Sequence, residues 1–430
     1  FVDIFCFICI VKYFNFESLD FLQNPYTTGG DMIGLTSTSS DIKVKKCRFM
    51  KLSTDTPTGY MNSQINIGAA NNVDVDSCSF LIGDAYHIYI KGTSPTNMNK
   101  NINITNSTFQ ITGQTTTGTT RNAIYSQYNK KLVISKNTFT TNLTQDIYTT
   151  FSGVKYAVML QNSDSLNVNK NMFELLGTSA IALSNVNNSK VANNKISIDQ
   201  TAGSSTAGYS CYGLNLLSGQ NNIIAYNNLY GKANVSYDKK MYGLSLGSLG
   251  QTTLDNIVKN NIVVSDGYGY AVSLRPSETN AQQSFDMANN LYYKTTTTTL
   301  PLFSYNGATN TTVAAWILQS YETNSYYDQN PIFTAWNNLS TSNTFLCEKG
   351  IYLTAITDDF FGNARPLPAV KAPCIGAVEF NPPPSNIFVS KVGVLNGNYN
   401  LSNGVSSYTG CDFGNDSVFV TFKNISSNVI

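Results

Sequence analysis

Charged side chains are scarce in this sequence of 430 residues. Lys+Arg 27 and Asp+Glu 26 make up only 12% of the chain, about half the share usual in soluble proteins. The formal net charge is +1 and basic residues form no long run, which argues against binding to nucleic acid or to an anionic membrane surface. The longest apolar run, residues 4–11, is much shorter than the roughly 20 residues that a membrane-spanning helix needs. The cysteines do not supply the two closely spaced pairs of a zinc site.

Asparagine replaces charge as the main polar residue, with 53 copies, and a hydrophobic share of 42% is enough to build a core rather than a disordered chain. The middle of the sequence repeats every 30 residues or so. Each repeat contains apolar residues in alternation, then polar residues, then an anchor that is aromatic or aliphatic. The anchors are Phe49, Phe80, Phe109, Phe139, Phe173, Ile196, Leu229, Ile262 and Leu291.

Asparagine dominates the position two residues before each anchor. From the fourth repeat onward these residues are Asn137, Asn171, Asn194, Asn227, Asn260 and Asn289. Side-chain amides that stack at the strand spacing of about 4.8 Å can hydrogen-bond to one another along the stack. The pattern therefore predicts a structural asparagine ladder.

A second motif lies between the anchors, in which the first, third and fifth positions are mostly large and apolar, as in Tyr212-Gly-Leu-Asn-Leu216. That alternation is typical of a strand with one buried face. Short strands, one turn of chain per repeat and like residues in register predict an all-β fold, a right-handed parallel β-helix. The alternative, a sandwich of antiparallel hairpins, gives no reason for one residue type to recur at one position.

The chain after residue 289 contains the segments NNLYY, DQNPIF, DDFFGNARP and IGAVEF, with a Trp between the first two. In this order they resemble the closing portion of bacterial secreted and cell-surface parallel β-helix repeat proteins. With the asparagine-anchored repeats, the resemblance covers roughly residues 30–380. It implies the β-helix fold and export from a bacterial cell, often by type IX secretion. The family includes adhesins and polysaccharide-acting enzymes, so the resemblance does not fix a reaction.

These patterns divide the chain into four parts. We expect an N-terminal cap and first coil over 1–40, β-helix coils over 41–300, and a C-terminal cap of the helix over 301–381. Pro382–Pro384 is a semi-rigid spacer. Residues 385–430 resemble the start of an immunoglobulin-like β-sandwich, which needs about 100 residues, so we expect the chain to be part of something longer.

The predicted cap contains Asp358, Asp359 and Arg365. We expect Arg365 to pair with one of these carboxylates and hold the cap loop, although a catalytic or metal cluster is the alternative.

Two cysteine pairs are candidates for disulfides. Cys47 and Cys78 occupy the same position in consecutive repeats, where a disulfide and stacked thiols are both compatible with the spacing. Cys347 and Cys374 both lie in the predicted cap.

Polysaccharide hydrolases need two or three neighbouring carboxylates, and lyases of this type need bound calcium and a basic residue. No acidic cluster appears on the outward positions of the repeats. The best catalytic candidates are Asp266, Arg275 and Glu278, for which a solvated salt bridge at a turn is the simpler interpretation. We expect no cofactor, with calcium as the possible exception. The single histidine, His87, is expected on an exposed strand beside Tyr89.

Tyrosine supplies the best candidates for ligand binding. The second motif places tyrosines at one repeated position, where exposed rings would stack against sugars. The alternative is that these rings stack inside a corner of the coil. The candidate ligand-binding residues are Tyr86, Tyr89, Tyr156, Tyr212, Tyr242 and Tyr270.

The sequence thus predicts a non-enzymatic module of a secreted or surface-anchored bacterial protein, used for adhesion or as a rigid extracellular scaffold. Its expected partners are extracellular polysaccharide or other cell-surface molecules. We expect neither nucleic acid as a partner nor a membrane span, and the sequence is compatible with membership in a longer chain or a larger assembly. A polysaccharide lyase or glycoside hydrolase with a groove site on the coils is one alternative. A structural filament or sheath subunit is the other.

Overall fold

The structure is a computed structural model. It describes residues 2–3, 7–9, 12–23, 31–51, 63–81, 86–112, 122–142, 156–200, 210–233, 240–277, 281–295, 302–341, 343–380, 387–394, 397–399 and 418–424. The chain divides into two compact units, Phe1–Glu379 and Phe380–Ile430, and each is described by itself.

The first unit is a right-handed parallel β-solenoid, which confirms the predicted fold class. Each coil crosses three faces in turn, and each strand pairs in parallel with the equivalent strand of the next coil. Parallel pairing between coils requires like residues in register, which is the origin of the sequence repeat. Helix is confined, in the ranges described, to Ala281–Ser284, Val313–Leu318 and the 3-10 turn Thr344–Leu346.

Each face is a stack of short strands. The first face contains Phe7–Cys9, Asp31–Leu35, Ser63–Gly68, Tyr86–Lys91, Asn122–Gln127, Tyr156–Asp164, Ser179–Asn187, Cys211–Leu216, Met241–Leu246, Gly269–Leu274 and Phe303–Tyr305, with Ala308–Thr311 antiparallel to the last. The second face contains Lys12–Glu17, Ser40–Lys45, Asn71–Asp76, Asn99–Thr105, Asn129–Ser135, Asn167–Asn169, Lys190–Ala192, Ile223–Ala225, Asn256–Lys259 and Phe285–Ala288. The third face contains Val2–Asp3, Asp20–Gln23, Arg48–Lys51, Ser79–Leu81, Thr108–Thr112, Thr138–Asn142, Met172–Leu176, Lys195–Asp199, Asn228–Ala233, Ile262–Gly267, Leu291–Lys294 and Tyr326–Tyr327. Two small additional sheets pair Gly219–Gln220 with Thr253–Leu254 and Phe333–Ala335 with Asn338–Thr341.

A column of stacked phenylalanine rings runs through the core behind the third face. Rings from consecutive coils are nearly parallel, with centroids 4.7 Å apart for Phe80 and Phe109 and 4.6 Å apart for Phe139 and Phe173. These distances match the spacing of paired strands, so the stack follows directly from the register.

The corner between the second and third faces is built from two adjacent columns. The first holds residues in the left-handed conformation, with φ between 50° and 59° at positions such as Lys136, Lys170 and Asn193. The second is the asparagine ladder, in which the Asn171 amide donates to Asn194 Oδ1 at 3.0 Å. The Asn194 and Asn227 amides continue the chain at 3.0 and 2.9 Å.

In the last two coils the ladder runs through Asn261 and Asn290, one residue later than the sequence predicted. The strand pairing joins Leu229 to Val263 rather than to Ile262. Asn and apolar residues are both doubled in these repeats, so the sequence pattern fits two registers that differ by one residue. Asn260 and Asn289 instead take the left-handed position, with φ of 59° and 51°.

The predicted C-terminal cap consists of two structures with different roles. Trp316 covers the end of the core, where its ring stacks on Phe303 at 4.3 Å and its Nε1 donates to Glu322 at 2.7 Å. Residues 343–379, which we call the strap, instead run back along the corner of the coils. The Lys349 carbonyl accepts from Asn289, and the Asp358 carboxylate pairs with Lys170 at 2.5 Å, four coils earlier.

The second unit contains the antiparallel strands Ile387–Val394, Gly397–Tyr399 and Val418–Asn424, in which the first strand pairs with both others. The Pro382–Pro384 spacer lies outside the described residues. Nowhere in the described ranges is there a helix that combines the length and the apolar character needed to cross a membrane.

Candidate ligand-binding face

The tyrosines of the second motif lie on the outer surface of the first face. A β-carbon added to Gly213, the residue after Tyr212, would lie 2.8 Å from the core residue Leu229, so position 213 faces inward. A β-carbon on Gly243, the residue after Tyr242, would likewise meet core residue Val263. Because neighbouring residues of a strand face opposite sides, Tyr212 and Tyr242 face outward. The alternative interpretation of the sequence, in which these rings stack inside a corner of the coil, is therefore wrong for Tyr212 and Tyr242.

Four of these rings form a continuous stack, which we call the tyrosine row: Tyr156, Tyr212, Tyr242 and Tyr270. Their successive centroids are 6.3, 5.0 and 5.6 Å apart. Tyr212 and Tyr242 are half-buried, while Tyr156 and Tyr270 are 7% and 1% exposed. Burial raises the pKa of all four phenols, to about 12 for Tyr270, so the row presents neutral hydroxyl groups.

The other two predicted tyrosines form a separate group with a third. The Tyr86 ring lies 5.0 Å from Tyr89 and 5.5 Å from Tyr125, and Tyr89 stacks on Tyr125 at 5.3 Å. In the coil that carries Tyr125, Asn122 is in register with Tyr86 of the preceding coil. This asparagine separates the group from the row. Tyr125 was not among the predicted residues, although it holds the same motif position as Tyr89.

Amide and hydroxyl groups line the tyrosine row. The Asn215 amide donates to the Tyr156 hydroxyl at 2.6 Å, and Asn215 is in register with Ser245, which is in register with Ser273. Asn215 Oδ1 and the Tyr270 hydroxyl are buried and find no hydrogen-bond partner among the described residues. Two such atoms on one face are notable because buried polar groups in proteins are nearly always paired.

Positive charge borders the row. Lys240 Nζ lies 5.7 Å from the centroid of the Tyr270 ring. Arg275 directly follows the strand that carries Tyr270 and is exposed, and its charge acts to lower the pKa of Tyr212 and Tyr242 against the larger effect of burial. Sequence reasoning missed Lys240 because it lies outside the repeated motif.

An uncharged polar groove of about 430 Å³ lies further along the same face. Its lining includes Ser184, which lies in the same strand as Ser179, and Ser179 is in register with Tyr156 of the row. Amide and hydroxyl side chains supply nearly all of its lining, from Asn162, Ser184, Asn185, Asn187, Ser218, Gly219, Gln220, Gln251 and Thr252. Such a surface can hydrogen-bond a ligand rich in hydroxyl groups.

Asp266 and Arg275, two of the three candidate catalytic residues, lie on different faces of the solenoid. Asp266 lies on the third face, where it accepts hydrogen bonds from Tyr230 at 2.7 Å and from Thr295. Arg275 directly follows the strand Gly269–Leu274 of the first face, and Glu278 lies outside the described residues. In the ranges described, His, Cys, Asp and Glu nowhere gather in the groups of three or more that could hold a metal ion.

His87 is buried, in contrast to the exposed position expected from the sequence. Its Nδ1 lies 2.7 Å from Gln64 Oε1 and its Nε2 lies 3.1 Å from the Gln110 carbonyl oxygen. The ring sits between Phe80 and Phe109, with both centroids 6.0 Å away. The strand bends at this residue, so His87 and Ile88 both face inward, which the strict alternation assumed from sequence does not allow.

The candidate residues of the strap hold it against the coils. Arg365 pairs with Glu379, whereas the sequence predicted Asp358 or Asp359 as its partner. Its guanidinium also donates to Asn193 Oδ1 at 2.7 Å and lies 3.5 Å from the centroid of the Tyr226 ring. Asp359 accepts from the backbone of Phe361 and Asn363 and fixes the turn.

The predicted cysteine pairs are neighbours, and the structure holds them as thiols. The Cys47 and Cys78 thiols each donate to backbone carbonyl groups at 3.2–3.6 Å, and the adjacent Cys78 thiol lowers the pKa of Cys47. Within the strap, the Cys374 thiol likewise lowers the pKa of Cys347.

No family model matches the sequence, and no curated protein is similar to it. Solved structures are similar to it only distantly. XylC in complex with xylose has 11% identity and a TM-score of 0.41, over 82% of this chain and 66% of that one. The periplasmic alginate epimerase AlgG has 13% identity and a TM-score of 0.35, over 75% and 77%. PfbA, a surface adhesin of Streptococcus pneumoniae, has 14% identity and a TM-score of 0.35, over 63% and 73%. At this distance the similarity says nothing about what this chain binds or catalyses.

Proposed function

We propose that this chain is a glycan-binding module of a secreted or cell-surface bacterial protein, acting in adhesion or as an extracellular scaffold without catalysing a reaction. The observation that carries the proposal is the tyrosine row, in which Tyr212 and Tyr242 face outward beside Asn215, Ser245 and Ser273. Aromatic faces pack against the apolar faces of sugars, and amide and hydroxyl groups bind sugar hydroxyls. A rigid solenoid holds these groups in fixed positions, which limits the entropy lost on binding.

The half-buried rings of Tyr212 and Tyr242 are the contacts to test. We expect Tyr212→Ala and Tyr242→Ala each to weaken binding to a polysaccharide ligand about tenfold, as loss of an aromatic contact at a binding site typically does. Affinity electrophoresis through gels containing individual polysaccharides finds the ligand, and isothermal titration calorimetry measures the affinity.

The matched control is Tyr293→Ala, because Tyr293 is also half-buried but lies on the third face. Equal losses from Tyr212→Ala and Tyr293→Ala would contradict the proposed location. Release of new reducing ends or unsaturated sugars from the bound polysaccharide would contradict a non-enzymatic role and favour the lyase or hydrolase alternative. Filaments seen by electron microscopy without glycan binding would favour the structural alternative.

A further inference from the structure

The two cations beside the tyrosine row have no charge partners in the described part of the chain. The ion pairs formed there do not include Lys240 or Arg275. Asp266, the acidic residue nearest to them in the described sequence, binds Tyr230 and Thr295 on the third face instead. Among the described residues, neither cation beside the row is therefore neutralised by a carboxylate.

Both cations are placed by the backbone around them. The Arg275 amide donates to the Leu246 carbonyl at 2.7 Å, and Arg275 Nη2 lies against Gly307, 3.3 Å from where a β-carbon would sit. The Lys240 carbonyl accepts from the Cys211 amide at 3.2 Å, which fixes the Lys240 backbone against the preceding coil of the row. A side chain larger than hydrogen at position 307 would crowd the guanidinium.

The unpaired buried atoms on this face are a second, independent indication of a ligand. Asn215 is 4% exposed and Tyr270 is 1% exposed, yet Asn215 Oδ1 and the Tyr270 hydroxyl lack partners among the described residues. Leaving a buried acceptor or donor unpaired costs free energy. Both side chains belong to the first face, which favours a ligand that brings its own hydrogen-bonding groups to that face.

We infer that the tyrosine row binds an anionic glycan, with Arg275 and Lys240 pairing its carboxylate or sulfate groups. Guanidinium and ammonium groups make short, charge-assisted hydrogen bonds to both kinds of anion. This inference rests on the proposed glycan-binding function and adds the charge class of the ligand.

Matched polymers test the charge directly. Polygalacturonate is compared with its methyl ester, which has the same sugars without the charge, and dextran sulfate is compared with dextran. We expect the wild type to bind at least one anionic polymer about tenfold more tightly than its neutral match. We expect Arg275→Gln and Lys240→Gln each to remove most of that difference. The preferred polymer identifies carboxylate or sulfate as the anion.

The control variant is Lys130→Gln, because Lys130 is exposed on the second face, away from the row. Equal affinity for the charged and neutral polymers, with loss in Tyr212→Ala, would overturn the inference and leave the proposed function intact. Absence of binding to every polymer would instead contradict the proposed function. Binding to the anionic polymer that survives Tyr212→Ala, or that requires added calcium, would also overturn direct pairing at this row.

Discussion

The buried histidine shows how one residue departs from its repeat. Positions equivalent to His87 hold Ala123 and Ala157 in the next two coils, and both of those side chains are fully buried. An imidazole at this position therefore enters the core, where burial lowers its pKa from 6.5 to about 4. The folded chain keeps the ring neutral at pH values where the unfolded chain protonates it.

This difference predicts a pH-dependent stability. Between pH 6.5 and about 4 the unfolded chain binds a proton that the folded chain does not, so the free energy of unfolding falls as pH falls through this window. The slope from His87 approaches about 1.4 kcal/mol per pH unit, which is the value for one proton, and it disappears above the window. Urea unfolding of the wild type and of His87→Ala across this pH range measures it.

The difference between the two curves isolates His87, because the buried Glu322, whose pKa is raised by burial, titrates in both proteins. A difference curve that is flat with pH would contradict the burial of the neutral ring.

At the scale of elements, the strap is attached through the left-handed corner of the coils. Tyr226 and Asn260 both donate to the Ile351 carbonyl, at 2.6 and 2.8 Å, and the Lys190 ammonium reaches the Ala355 carbonyl at 3.1 Å. A left-handed residue points its side chain away from the strand ladder. Corner residues are therefore free to bind the backbone of a segment that has no sheet partner.

Arg365 is the centre of this attachment, so its loss is expected to release the strap. Its side chain is 0% exposed and pairs with Glu379, which is 12% exposed. Arg365→Met would leave that carboxylate buried without its partner, at a cost of about 3–5 kcal/mol. Hydrogen exchange is expected to rise first in peptides from residues 343–379.

Arg48→Met is the control, since its ion pair with Asp20 is nearly half exposed on both sides. We expect that change to cost less than about 1 kcal/mol. Equal effects of the two substitutions, or exchange that rises uniformly along the coils, would argue against a separate strap.

At the scale of the whole molecule, a solenoid is stabilised by contacts between neighbouring coils, so damage at one end spreads inward only gradually. Trp316 is fully buried over the last coil, and Glu322 binds the hydroxyls of Tyr292 and Tyr327 beneath it. Trp316→Ala is expected to cost about 3–5 kcal/mol. Hydrogen exchange should show the loss in residues 269–295 and not in 63–112.

The other tryptophan provides the control for this experiment. Trp336 is only partly buried and lies outside the core cluster, so Trp336→Ala should leave exchange in the last coils unchanged. Faster exchange throughout the solenoid in Trp316→Ala would contradict the nearest-neighbour picture.

The sequence by itself determined the architecture, because parallel pairing of coils forces one residue type to recur at one position. The Phe49 to Phe173 column and the ladder from Asn137 to Asn227 could therefore be placed by counting. The same pattern also identified the tyrosines of the first face. Counting failed where adjacent residues were chemically alike, as at Asn260 and Asn261, since nothing in the sequence distinguishes the two registers.

Only the tertiary structure decided the rest, because those contacts join residues that no period relates. The outward direction of Tyr212 is known only because its neighbour Gly213 faces the core, and the pairing of Arg365 with Glu379 depends on the path of the strap. The approach of Lys240 to Tyr270 likewise comes from chain that lies between repeats. Repetition fixes what stacks within a solenoid, whereas the contacts that its surface makes depend on where non-repeating segments fold.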